Sequence, residues 1–485
     1  MPECVYLEDA AGRRSLTFGE LAGAVEAWLD LLEHEDVVPG SIVALSIADP
    51  VSFASAYLAT IAGGYWVAPL DPAALSLKPE TTLAAAADLG AQLVIGDLPV
   101  GCASRIRCLP VPTVPWRPAQ LHPSELRLTT NGGAVLSSSG TTGAPKVIEL
   151  NQSQLLFTAR QVAAHHELSP EDRGFNALPL FHINAEVVGL LASLVASSTL
   201  VLQDRFHRTG FWDMAARRRI TWINAVPAIV TLLADVRADE TVPTGIRFIR
   251  SASAPLPAHT MLAFEASTGI PVLETYGMTE AASQITANPL HGVRKPGSVG
   301  LPVGIELRVV ADDGSHSGEH PGVVGEVEIR GQSVITRYSG SQPAPGPGPD
   351  GWLRTGDLGY LDPEGYVFLV GRVDDVINRS GEKIFPREIE EILLKDASVL
   401  SAVVVGSDDA VLGQVPVAYV VLKPDEPAED TLARLAQALS SELVRSRRPG
   451  ELRIVEALPS TPTGKVRRTL LRVDAPPVLH WMVCR

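Results

Sequence analysis

Cysteine is scarce: Cys4, Cys102, Cys108 and Cys484 are the whole complement of a 485-residue chain, and none stands in Cys-x-x-Cys spacing. That excludes a disulfide scaffold and a zinc ribbon and leads us to expect a reducing, cytoplasmic setting. Positive charge is in deficit as well, with 40 Lys and Arg against 55 Asp and Glu and a formal net charge of −15. Such a surface repels polyanions and anionic bilayers, so neither nucleic acid nor membrane is expected as a partner. The opening MPECVYLEDAAGRR holds no apolar signal core. Long unbroken apolar runs are missing too. The most apolar stretch, AEVVGLLASLVASSTLVLQ from Ala185, is interrupted by Ser193, Ser197, Ser198 and Thr199. It reads as a buried helix running into a strand, not as a membrane span. No repeat of fixed period is present.

What is there is globular: 46% hydrophobic and 20% charged residues, over a length too great for one core, so two or more domains are expected. Apolar strand-like runs alternate with helix-length segments through the first three quarters. SIVALSI (41–47) reads as a strand, VSFASAYLATIAGG as a helix ending at Gly63–Gly64, and YWVAPL as the next strand. TLVLQ, FWDMAARRR and TWINAV repeat the pattern, which predicts α/β layers with largely parallel sheets. From about residue 296 short strands and many glycines predict a β-rich subdomain. After residue 373 a compact α+β unit follows, with helix PREIEEILLKD, strands SAVVVGS and VPVAYVVL, and a helix from about Asp430 to Val444. The expected architecture is therefore α/β. Residues 1–373 form a large N-terminal domain with its β-rich subdomain, 374–473 a small C-terminal domain, and 474–485 a loosely attached tail.

The sharpest local feature is SSSGTTGAPK (137–146). Glycines free the backbone to wrap a phosphate, hydroxyls donate hydrogen bonds, and a lysine adds charge. It is not a Walker A loop, because Pro145 precedes Lys146 and Val147 follows it. This string resembles the phosphate loop of the adenylate-forming enzymes: acyl-CoA synthetases, firefly luciferase and peptide-synthetase adenylation domains. Five more strings agree in the family's order: PLFH (179–182), YGMTE (276–280), TGD (355–357), GRVDDVINRSGEKIFPREIE (371–390) and LPSTPTGKVRR (458–468). The chemistry such a set must perform is clear. A carboxylate is a poor electrophile, and its attack on the α-phosphorus of ATP is opposed by charge repulsion. The site must therefore supply cations and oriented donors and keep water from the mixed anhydride.

The resemblance implies ATP and Mg²⁺ as cofactors and assigns roles residue by residue. Ser138, Ser139, Gly140, Thr141, Thr142 and Gly143 would cradle the β- and γ-phosphates, and Lys146 would steady the loop or the leaving pyrophosphate. Thr279 would bond the α-phosphate and Glu280 would hold the metal. Tyr276 would pack on adenine, with Glu274 and Thr275 before it in the nucleotide site. Ser253, Ala254 and Pro255 of SASAP (251–255) would line the other adenine face, where most relatives carry a glycine pair. Asp357 would accept the ribose hydroxyls, with Arg372 nearby. Lys465 would bridge the reacting carboxylate and the α-phosphate. Asp374 falls at the family's hinge. There the small, mobile C-terminal domain is expected to rotate after adenylation, withdrawing Lys465 and bringing the SGEK loop (380–383) forward.

His182 in PLFH would act as an aromatic gate at the acid pocket, which we expect Asn184, Ala225, Ser251, Gly277, Met278 and Ser283 to line. TWINAVPAI, IRFIRSASAPL, ANPL and KPGSVGLPVG resemble segments of oxalate–CoA ligases, which implies a small acid. Those ligases carry a histidine where this chain has Ser283, and most relatives have glycine where it has Val147. The expected activity is formation of an acyl-adenylate from a small carboxylic acid with release of pyrophosphate, then transfer to CoA, by a monomer or homodimer. The alternative is a free-standing adenylating enzyme that loads a carrier protein, forms an amide, or activates an oxyacid such as nitrite.

Overall fold

The computed structural model describes residues 2–97, 106–112, 129–138, 146–316, 321–340, 344–459, 466–473 and 478–483. Within these, two large sheets form the first part of the chain. In the nine-stranded sheet, the strands Val272–Met278, Phe248–Ser251, Trp222–Ala225, Arg173–Asn176, Thr199–Leu202 and Val5–Asp9 run side by side and parallel. Antiparallel strands close both of its edges. The six-stranded sheet runs parallel from Arg107–Leu109 through Ala91–Gly96, Ile42–Ser46 and Trp66–Pro69 to Gly133–Ser138. Its last strand, Lys146–Asn151, turns back antiparallel. Parallel strands need crossovers, and buried helices supply them. Pro50–Ala62, capped by Asp49 and covered by neighbours along most of its length, joins Ile42–Ser46 to Trp66–Pro69. Helices Phe18–His34 and Gln152–His165 each start at a reciprocal capping box, Thr17 with Glu20 and Asn151 with Gln154.

The apolar stretch after Ala185 folds as expected into helix then strand, with a difference of detail: Asn184–Leu191 is a π-helix before the short α-helix Ala192–Val195. No described helix is long and apolar enough to cross a membrane. The glycine-rich region after residue 296 builds a four-stranded antiparallel sheet, from Glu306–Val310 through Gly325–Arg330 and Leu353–Leu361 to Val367–Arg372.

The C-terminal lobe begins after the single 3₁₀ turn Val373–Asp375. Its long hairpin, Val399–Asp409 with Gly413–Leu422, is flanked by helices Pro386–Leu393 and Ala428–Glu442. One correction concerns the end of the chain. Val478–Val483, expected as part of a loose tail, pairs antiparallel along Glu451–Val455. That strand would otherwise leave a row of unpaired backbone groups at the edge of the sheet, and the run VLHWMV has strong β-propensity.

The buried apolar residues fall into separate clusters. The main one runs from Tyr6 to Val367. Two others belong to the C-terminal lobe, one lying between its helices and sheet and the other around Val403, Tyr419 and Leu471. No described buried residue between 368 and 376 joins them.

Candidate active site

The parallel strands of the large sheet end in register. Asn176, Asn224 and Arg250 form one cross-strand row, and Ala225, Ser251 and Glu274 fall in the next. Ligands of open α/β sheets collect beyond such carboxyl ends, and the YGMTE and SASAP segments leave from there.

These two segments are tied together. Thr275 Oγ1 donates to the Ser251 carbonyl at 3.2 Å, and the Leu256 amide donates to Glu274 Oε1 at 3.2 Å. Glu274 is almost wholly buried and its Oε2 has no partner among the described residues. Burial raises its pKa to about 7, with Arg387 of the C-terminal lobe pulling the other way. Ser253 holds a left-handed φ of +73°, a conformation natural to glycine, so it bears backbone strain at this turn. Its hydroxyl is met by Asn184 Nδ2 at 3.3 Å.

Tyr276 leaves the same strand and donates its hydroxyl to Asp357 Oδ2 at 2.5 Å. Asp357 sits opposite Arg372 in the four-stranded sheet, with Arg372 Nε 3.4 Å from Oδ1. The Asp357 amide is anchored on Thr355 Oγ1 at 3.0 Å. One acidic side chain is thereby fixed between the two sheets by a phenol and a guanidinium. The Tyr276 hydroxyl is held far above its ordinary pKa, by burial first and then by Asp357.

The described ends of the phosphate-loop string lie on two paired strands. Gly133–Ser138 pairs with Lys146–Asn151, and the ladder closes at Ser138 opposite Lys146. Ser138 is described in its backbone only, and Ser139, Gly140, Thr141, Thr142 and Gly143 lie outside the described residues. Lys146 Nζ stands 5.0 Å from the ring centroid of Tyr338, and the Tyr338 hydroxyl donates to Glu280 Oε1 at 3.1 Å. Cation, aromatic ring and carboxylate thus form a chain that brings Lys146 beside Glu280. Glu280 is buried within the single turn Thr279–Ala281, where its backbone carbonyl accepts from Ile335. Among the described residues no cluster of three or more His, Cys, Asp or Glu is placed to hold a metal. A lone carboxylate fits Mg²⁺, which keeps its waters and takes its remaining ligands from phosphate oxygens. Val147 pairs with Ser339 and points its side chain at Gly340, where an added Cβ would lie 3.4 Å from Val147 Cγ2.

Behind the strand ends lies a buried polar network. Arg250, 1% exposed, donates through Nη1 to Asn184 Oδ1 at 3.0 Å and to Asn224 Oδ1 at 3.2 Å, and through Nη2 to Gln284 Oε1 at 3.4 Å. Asn224 Nδ2 donates in turn to Asn176 Oδ1 and Asn184 Oδ1. No carboxylate among the described residues pairs with this guanidinium, and burial alone lowers its pKa to about 9. Arg250 Nε, Gln284 Nε2, Ser251 Oγ and His182 Nε2 are all buried without a described partner. His182 precedes the π-helix, whose Glu186 amide donates back to the His182 carbonyl. Burial holds its imidazole below the usual pKa, with Asp71 opposing. Ser283 is buried at a φ of +94°, and its carbonyl would stand 1.7 Å from a Cβ on Gly277, so only glycine fits there. Met278 and Ala225 flank the same strand ends.

The structure therefore assembles Glu274, Thr275 and Tyr276 with Ser251 and Ser253, Tyr276 with Asp357 and Arg372, Lys146 with Glu280, and Asn184 with Ser253. Thr279 opens the single turn that carries Glu280. Ala254 and Pro255 continue the Ser253 turn. Asp374 lies in the turn between the lobes, and Lys465 lies outside the described residues. Sequence reading missed Arg250, Asn224, Gln284 and Tyr338. The motif alphabet carried no signal for them, although the Asn224–Arg250 row could have been found by aligning the strand ends.

The family profile described as AMP-binding enzyme matches residues 2–339, and the AMP-binding enzyme C-terminal domain profile matches 388–465. The chain is 37% identical to a sulfoacetate–CoA ligase of Cupriavidus necator, covering 97% of this chain and 94% of that one. It is 33% identical to an oxalate–CoA ligase of Arabidopsis thaliana, covering 95% and 94%. The o-succinylbenzoate CoA synthetase of Bacillus subtilis, solved with its acyl-adenylate intermediate, superposes with a TM-score of 0.84 at 27% identity over 97% of this chain and 96% of that one. The same enzyme has been solved with ATP and magnesium ion, with a TM-score of 0.82 at 28% identity over 97% of each chain.

Proposed function

The chain belongs to the AMP-binding enzyme family, and on that premise we propose that it activates a small carboxylic acid carrying a second anionic group at its far end. It is an AMP-forming acid–CoA ligase that uses ATP, Mg²⁺ and CoA. In the first step a carboxylate oxygen bonds to the α-phosphorus while the bond to pyrophosphate breaks. In the second, the CoA sulfur bonds to the acyl carbon, AMP departs and the thiol proton passes to solvent. Asp357, steadied by Tyr276 and Arg372, accepts the ribose hydroxyls. Lys146 steadies the leaving pyrophosphate. Glu280 would supply one oxygen to Mg²⁺, which would offset the charge of the phosphates. Thr279 donates to the α-phosphate. The scarcity of cysteine supports a cytoplasmic setting.

The observation that carries the choice of acid is Arg250. Burying a guanidinium without a carboxylate costs several kcal/mol even after relaxation, and amide oxygens alone replace its hydration. Unpartnered buried polar atoms around it call for a ligand. An anion of the substrate answers both, and the names of the two relatives, one a sulfonate and one a second carboxylate, support the same class.

The test compares acids of matched length, ending either in carboxylate or sulfonate or in a methyl group, by pyrophosphate release and CoA thioester formation. The dianions are expected to have kcat/KM values higher by about a hundredfold, the scale of a buried charged hydrogen bond. Arg250→Met is expected to erase that preference. Equal use of the methyl-ended acids by the native enzyme would refute the assignment.

A further inference from the structure

Lys146 and Glu280 sit on different elements, the strand Lys146–Asn151 and the turn Thr279–Ala281, and one strap of chain, 334–340, is tied to both. At its start Gln154, from the capping box of helix Gln152–His165, donates through Nε2 to the Val334 carbonyl at 3.0 Å. The Ile335 amide donates to the Glu280 carbonyl at 2.9 Å, and the Ser339 amide donates to the Val147 carbonyl at 2.9 Å. Val334, Ile335 and Tyr338 all belong to the main apolar cluster, and Tyr338 is 6% exposed. Tyr338 thus stands between two backbone anchors, one on the residue that bears the carboxylate and one on the residue beside the lysine.

Its side chain meets both charges. The Lys146 ammonium stands 5.0 Å from the ring centroid, and Glu280 Oε1 accepts from the hydroxyl at 3.1 Å. A direct pair between the lysine and the carboxylate would turn the ammonium away from phosphate and cancel charge that a metal ion needs. A phenol orients a carboxylate by hydrogen bonding and leaves its charge intact. An aromatic face attracts an ammonium and leaves its charge intact as well. We propose that Tyr338 is a positioning residue for magnesium–ATP: its hydroxyl orients the Glu280 carboxylate toward the metal, and its ring holds the Lys146 ammonium off that carboxylate and free for phosphate. This role rests on the reading of Glu280 and Lys146 given above. It requires no contact between Tyr338 and ATP or metal.

Binding without turnover separates the hydroxyl from the ring. Calorimetry on the full chain, with no acid present, measures ATP affinity once with Mg²⁺ and once with EDTA. The ratio of the two dissociation constants is the gain due to the metal. Glu280→Gln is the reference and is expected to lose most of that gain. Tyr338→Phe removes one oxygen and keeps the packing. It is expected to cut the gain by about tenfold, the scale for losing a group that orients a metal ligand, and to leave metal-free affinity within about twofold. The double variant Tyr338→Phe/Glu280→Gln should lose no more than Glu280→Gln alone, because residues acting through one group are not additive. Tyr338→Leu removes the ring too, so Lys146 should fall onto Glu280 and metal-free ATP binding should weaken by about threefold to tenfold. Adding Glu280→Gln to Tyr338→Leu should bring metal-free binding back toward the native value. If Tyr338→Leu does not fold, Tyr338→Phe alone decides the proposal. An undiminished gain in Tyr338→Phe where Glu280→Gln has lost it, equal losses with and without metal, or additive losses in the double variant would overturn the proposal. Native metal-free binding by Tyr338→Leu would overturn the part given to the ring. An undiminished gain in Glu280→Gln would instead overturn the reading of the metal ligand.

Discussion

Glu186 and Arg250 are each buried without an opposite charge among the described residues, and the fold acts on them in opposite senses. Glu186 is wholly buried in the π-helix, with the Tyr57 hydroxyl 3.0 Å from Oε2, and burial raises its pKa from 4.5 to about 8. Below about pH 4.5 folded and unfolded chains both hold this proton. Between there and about pH 8 only the folded chain does, so its contribution to stability falls as pH rises and the loss is complete above pH 8. Glu186→Gln, which removes the ionisation, should therefore gain stability over the native protein as pH rises. The difference in Tm should be at least about 5 °C larger at pH 8.5 than at pH 5.5. A constant offset in thermal melts would show that Glu186 is already ionised in the fold. At the nucleotide, Asp357→Ala should raise the KM for ATP by about tenfold to a hundredfold with a smaller change in kcat, since a charged hydrogen bond contributes about 1.5–3 kcal/mol; initial rates against ATP concentration decide it. Asp357, Tyr276 and Glu280 were legible because each sits in a string whose chemistry is local. Arg250 and Tyr338 were not, because nothing beside them in sequence marks them, and their meaning arises only when distant strands align Arg250 with Asn224 or a ring comes to lie between Lys146 and Glu280.

Most of the elements followed from periodicity and capping. Pro50–Ala62 ends at Gly63 as the glycine pair predicts, and the C-terminal helices fall within a few residues of their expected limits. Two elements did not follow. A π-helix has no distinct hydrophobic period over so short a span, so Asn184–Leu191 could be read only as helix. The strand Val478–Val483 reads as a tail in sequence, because pairing along Glu451–Val455 is a long-range property that no local pattern announces. Truncation before Val478 tests its worth. The exposed edge should lower the melting midpoint of the C-terminal lobe by about 5–10 °C and promote self-association visible by light scattering. A truncated protein that melts and scatters like the full chain would mean that the pairing contributes nothing.

At the scale of the molecule, the separate apolar clusters and the short turn Val373–Asp375 between them are what two semi-independent lobes require. Polar contacts cross the boundary, among them Arg387 Nη1 to the Leu369 carbonyl at 2.8 Å and the ion pair of Lys383 with Asp312. Calorimetry should accordingly resolve two unfolding transitions, the smaller belonging to the C-terminal lobe; a single two-state transition would show the lobes to be one cooperative unit. The change of composition and motif near residue 373 is what sets the expected lobe boundary there. How the lobes meet was not legible, because isolated polar contacts leave no pattern in sequence. The Arg250 network has a consequence at this same scale. The chain carries fifteen more negative than positive charges, yet the buried Arg250 behind the strand ends is positive. A doubly charged acid diffusing in from bulk therefore crosses a repulsive outer field before reaching an attractive inner one. Dissolved salt weakens the first much more than the second, because mobile ions reach the surface and not the interior. Moderate ionic strength should hasten capture of the acid, the reverse of the usual behaviour of an electrostatically guided enzyme.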